Sequence, residues 1–230
     1  MLNFEDHTFA KNIIDQKSLS FFTEHLNDIK DVLSRTLIWR SFYDMIRDAK
    51  MKSHQFVEVV VKRLASEPSD SIFEKQFDFL NASINTYTPI PLRSDLNTTV
   101  FDFIYKLIPQ VPKEQQNRIV ILKSKLPSFA HSDKHKKMLL DWKDGKDDNL
   151  KEHSMTVGQK WSAVVKAFTI GDLTMEQKEA IFEAQRAEDP SDTAKNRRFT
   201  CDALKSTDAE FEEMYNEFKN PNSKHSITVK

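Results

Sequence analysis

The chain has 230 residues, 39% hydrophobic and 30% charged, with a formal net charge of −1 at neutral pH. That length can bury a substantial core, and so even a charge balance supplies no field to gather nucleic acid or acidic lipid. Three glycines and 8 prolines argue against a turn-rich β-fold, and the lone Cys201 excludes an internal disulfide framework and fits a reducing compartment.

No apolar run approaches the ~20 residues of a membrane-spanning helix. Met1-Leu2-Asn3-Phe4-Glu5-Asp6 has neither the basic start nor the apolar core of a signal peptide. The expectation is a cytoplasmic protein with no membrane and no nucleic-acid partner.

In chain order, residues 1–16 read as an extended lead-in. A first short helix runs from Ser18 to about Asn27, with Leu19, Phe22 and Leu26 on one side. The next stretch, Leu33 to Met51, reads as a helix with a wide apolar arc. Ile38, Phe42, Met45, Ile46 and Ala49 form one stripe, and Val32, Leu33, Leu37, Trp39 and Tyr43 widen it. Only Arg40, Asp44, Arg47 and Asp48 remain as a polar ridge, at spacings that allow Arg40–Asp44 and Asp44–Arg47 ion pairs. A helix this apolar needs cover on more than one side, so it is expected to be a middle layer.

His54 to Ala65 carries Val57, Val60, Val61 and Leu64 at helical spacing; its β-branched content alone would suit a strand. Ser71-Ile72-Phe73-Glu74 reads as a capping box, followed by Phe73, Phe77, Leu80 and Ile84. Thr88-Pro89-Ile90-Pro91 breaks the chain. Val100, Ile104, Leu107 and Ile108 mark the next helix, and Ile119, Leu122 and Leu126 another. His131 to Asp144 follows, anchored by Leu139 and Trp142, and the polar stretch 145–155 is a candidate linker. Trp161, Val164, Val165 and Phe168 begin the last third. Thr174-Met175-Glu176-Gln177 caps a helix, Asp189-Pro190 opens another, and Thr207 caps a final one carrying Phe211, Met214, Tyr215 and Phe218. Residues 221–230 read as a loose tail.

The pattern predicts an all-α fold, a HEAT-like α-solenoid of about ten or eleven short helices in stacked antiparallel pairs spanning residues 17–220.

A family resemblance is carried mainly by the first fifty residues and, through weaker echoes further on, spans most of the chain. Asn3, Asp6, Thr8, Phe9 and Lys11 fit N-x-x-D-x-T-[YF]-x-K; Asp15, Ser18 and Leu19 fit D-x-x-S-L. Leu33, Arg35, Leu37, Ile38 and Trp39 fit L-x-R-x-L-[IV]-W, and Asp44-Met45 and Arg47-Asp48-Ala49 complete it. Weaker echoes are Thr156-Val157-Gly158-Gln159-Lys160-Trp161 and Glu188-Asp189-Pro190-Ser191-Asp192. On these residues the chain resembles the C-terminal helical domain of the aminopeptidase N family of zinc metallopeptidases. The resemblance implies a helical bowl that packs on a catalytic domain and encloses the chamber through which peptides reach it. It also implies zinc in that catalytic domain, and a preceding β-rich region from which residues 1–16 would lead out.

The catalytic motifs of that family are missing. A zinc peptidase of this kind needs H-E-x-x-H, two histidines facing one metal with a glutamate as general base. The nearest approach is His131-Ser132-Asp133-Lys134-His135, with serine in place of the base and no third-ligand motif. It reads as a solvent-facing histidine pair, with no metal held and no catalytic residue. Lys134-His135-Lys136-Lys137 reads as a solvated helix face between Asp133 and Asp141, and Cys201 as a half-buried structural thiol. The remaining candidates are Arg40, Asp44, Arg47 and Asp48, as a contact with the catalytic domain. The chain alone is expected to be inactive; the competing reading is a free-standing α-solenoid that binds another protein.

Overall fold

The computed structural model describes residues 7, 8, 10–204, 212, 215, 216 and 219. Its described elements are α1 (Gln16–His25), α2 (Val32–Arg47), α3 (Ser53–Arg63), α4 (Asp70–Tyr87), α5 (Ile90–Leu107), α6 (Gln116–Lys125), α7 (Asp133–Lys143), α8 (Val157–Ala167), α9 (Met175–Glu188) and α10 (Asp192–Ala203). Among the described residues there is no strand, so the Val57–Val61 run is helical. Of the last predicted helix only Glu212, Tyr215, Asn216 and Lys219 are described, so Phe211, Met214 and Phe218 lie outside the described residues, as do Asn3, Phe4, Asp6, Phe9 and the tail.

Most of the helices start where a side chain takes up an amide left free in the first turn, whereas α5 and α6 open at Pro89 and Gln115 without one. Asp15 accepts from the amides of Lys17 and Ser18 at 3.0 Å and from the Ser18 hydroxyl at 2.6 Å. Thr156 with Gln159 and Thr174 with Gln177 close capping boxes. Two caps differ from the sequence reading. Ser69, rather than Ser71, opens α4, and Ser191, rather than Asp189, opens α10. In both cases a second cap-competent residue stands two positions away, and local spacing does not rank them.

The helices form two compact units, Met1–His131 and Ser132–Lys230. In the first, α4 packs on α2, α3, α5 and α6. In the second, α8 packs on α7, α9 and α10. Sequence neighbours therefore bury one another, as in α-solenoids. The candidate linker 145–155 lies inside the second unit: Leu150 and Met155 are buried, and the Trp142 indole N–H donates to the His153 carbonyl at 2.6 Å.

α4 touches more of the first unit's helices than α2 does, but α2 is covered on more than one side, by α3 and α4, as its apolar composition requires. Val32 and Leu33, expected to widen the buried arc, are exposed, whereas Arg35 is buried. The stripe of α2 ends at Ile46, because the helix stops at Arg47 and Ala49 turns out into solvent with φ +55°. There the Lys50 amide donates to the Met45 carbonyl at 2.8 Å and the Ala49 amide to that of Ile46 at 3.0 Å, the Schellman pattern of helix termination. Left-handed backbone costs an L-residue about 1–2 kcal/mol, partly offset by the greater unfolded-state freedom of glycine. Ala49→Gly should therefore stabilise the first unit by about 0.5–1 kcal/mol in chemical denaturation; a loss of stability would show that the terminus is not strained.

Candidate functional site

The predicted ridge of α2 is only partly a ridge. Arg40 and Arg47 are exposed, but Asp44 is buried between them, its carboxylate 3.2 Å from Arg47 Nη1 and 3.8 Å from Arg40 Nε. Asp48 caps the helix and pairs with Lys11 from the lead-in. That pair ties the lysine that closes the first family motif to the aspartate of Arg47-Asp48-Ala49. Beside it a cavity of about 260 Å3 is bounded by Lys11, Asn12, Arg40, Ser41, Asp44 and Arg47. Leu37 and Ser41 also border a smaller, more apolar hollow of about 100 Å3 reached by Ile13, Ile14 and Phe22. Next to these hollows, α1 has no buried residue, and Ile13 and Phe21 are each more than half exposed. The arrangement sets a cationic rim next to apolar side chains.

Sequence reasoning missed the ionic core of this unit. Arg35 Nε lies 3.2 Å from both carboxylate oxygens of Glu67, and Nη2 lies 3.1 Å from Oε1. Arg35 Nη1 donates to the carbonyls of Ile29 and Lys30 at 2.6 and 2.9 Å. Glu67, fully buried, also accepts from the Ser69 amide at 3.0 Å and lies 3.5 Å from the Trp39 indole nitrogen. Arg118 donates to the Glu67 carbonyl and, at 2.9 Å, to Asp70, with its guanidinium over the Phe73 ring. Arg35 and Trp39 belong to the quoted motif, but Glu67 sits in a loop with no pattern to mark it. Every polar atom named here has its partner inside the protein, which makes the network a structural joint.

In the second unit the two weaker echoes meet. Trp161 Nε1 donates to Asp189 at 2.7 Å, and Lys160 Nζ lies 2.7 Å from Glu188. The indole N–H and the Ser191 hydroxyl hold the Asp189 carboxyl below its ordinary range. Cys201 is fully rather than half buried, within a cluster of Trp161, Val164, Phe168, Phe182 and Ala194.

Only one of the two histidines faces solvent. His131 is exposed ahead of α7, Ser132 is the N-cap accepting from the His135 amide at 3.2 Å, and His135 is buried. With the helix starting at Asp133, the two histidines do not share a helical face. The basic run is likewise divided: Lys134 and Lys137 are exposed, while Lys136 is buried and donates to the Thr169 carbonyl at 2.9 Å. Among the described residues no group of three or more His, Cys, Asp or Glu side chains is placed to hold a metal ion.

The ERAP1-like C-terminal domain family matches residues 1–214 of the chain. An aminopeptidase N of Streptomyces lividans is 31% identical over 98 residues, which span 43% of this chain but only 11% of that relative.

Proposed function

We propose a function from one premise: the chain belongs to the ERAP1-like C-terminal domain family. In this reading it is the helical, HEAT-like accessory domain of an aminopeptidase N-type zinc metallopeptidase. It packs on the catalytic domain, encloses the chamber that peptides enter, and works in the cytoplasm. The zinc and the general base belong to the catalytic domain, and this chain supplies shape. The observation that carries the reading is how the motif residues are used. Lys11–Asp48, Trp39–Glu67 and Trp161–Asp189 are joints between elements, which supports a scaffold role for the matched pattern. The half-covered α1, with exposed Ile13 next to the hollows by the Arg40–Asp44–Arg47 rim, is the face assigned to the catalytic domain. Apolar groups grouped on a surface usually mark a contact.

The test is association of the purified chain with the catalytic portion of an aminopeptidase N-type enzyme from the same source. The chain alone should self-associate in light scattering and release no product from an aminoacyl reporter. Adding the catalytic portion should convert it to a mixed complex that Arg40→Glu with Arg47→Glu weakens. A strict monomer that ignores the catalytic portion would favour the free-standing scaffold instead. Cleavage lost on changing His131 and His135 to alanine would restore a catalytic reading of this chain.

A further inference from the structure

An apolar groove of about 730 Å3 opens where α2 ends, α3 begins and α4 turns into α5. Its floor is Ile46, Met51 and Thr88, all buried; its walls are Tyr87, Leu92 and Leu96. Tyr87 and Leu92 are 41% and 54% exposed, an unusual outlay of apolar surface for two side chains facing the same hollow. The Tyr87 wall is preformed: its ring meets Tyr43 edge-on at 6.3 Å, and Tyr43 in turn stacks on Phe79 at 4.2 Å.

The charges around the groove are segregated. Arg47, Lys52 and His54 line the α2–α3 side, and Asp95 lines the α5 side. Arg47 leans on Asp44, but neither Lys52 nor His54 has an ion-pair partner among the described residues. The edge is thus prepared for an anionic group, and among the described residues no carboxylate pairs with Lys52 or His54.

We infer that this groove docks an amphipathic segment of a protein partner, its apolar stripe laid over Met51, Tyr87 and Leu92 and a carboxylate set against Lys52 and His54. Apolar burial supplies the attraction, and the one-sided charge fixes the direction in which the segment lies. The inference stands on this groove alone and holds whether or not the chain docks on a peptidase.

The test uses the intact chain and two labelled helical peptides that share a leucine stripe, one flanked by glutamates and one by lysines. In anisotropy titrations the glutamate peptide should bind roughly fivefold or more tighter, with the preference narrowing as salt is raised. Leu92→Asp should abolish binding, and Lys52→Glu with His54→Glu should reverse the preference. All three side chains are exposed, and circular dichroism verifies that the variants fold. Equal binding of the two peptides, binding that survives Leu92→Asp, or no binding by either overturns the inference. So does capture by anionic vesicles in place of the peptides, which would assign the groove to a lipid surface.

Discussion

Glu67→Ala is expected to destabilise the first unit by about 3–5 kcal/mol, because it leaves the buried Arg35 guanidinium without its counter-charge. Arg35 is 2% exposed and Glu67 fully buried, so water cannot replace the lost carboxylate. The two carbonyl acceptors from Ile29 and Lys30 remain, but they carry no net charge. The carboxylate also binds the Ser69 amide just ahead of α4, so its removal loosens the entry to the helix on which the unit is built. Chemical denaturation followed by tryptophan fluorescence measures the loss. Changing both partners to apolar residues, Arg35→Met with Glu67→Leu, should recover most of it, since the main penalty is the uncompensated charge. A single-variant cost below about 1 kcal/mol would place the pair in contact with solvent.

Trp39→Ala should cost a similar amount, about 3–5 kcal/mol, by opening a cavity that the surrounding helices cannot fill. The indole is 1% exposed and meets Phe42 and Phe56 edge-on, with ring centroids 5.9 and 6.3 Å apart. It thereby joins α2 to α3. Trp39→Phe should keep most of the stability, since much of the apolar volume stays. Because Trp39 and Arg35 both face Glu67, the losses from Trp39→Ala and Glu67→Ala should fall short of adding. Strict additivity in the double variant would mean that the indole and carboxylate do not communicate.

The helices themselves were legible in the chain. Val57, Val60 and Leu64, or Phe73, Phe77, Leu80 and Ile84, are buried as their spacing requires, because a helix cannot hide apolar side chains in any other order. The capping boxes at Thr156 and Thr174 are equally local, since donor and acceptor lie within one turn. The motif residues pointed to a family, and the family match covers nearly all of the described chain.

What the chain order could not reveal are partners distant in sequence. Glu67 lies 32 positions from Arg35 and 28 from Trp39, and Asp189 lies 28 from Trp161. Nothing local about Glu67-Pro68 distinguishes a buried counter-ion from a solvated loop acid. The exposure of Val32, Leu33 and Ala49 follows the same logic: hydrophobic composition asks for cover, but only the neighbours that arrive decide whether it is given. His131 and His135 kept the spacing of a pair, and one capping serine between them separated their fates. Local sequence, through periodicity and caps, determined which segments are helices and where most of them begin. Tertiary structure decided which helix lies at the centre, which charges are buried and which faces stay open, because those depend on desolvation by residues tens of positions away.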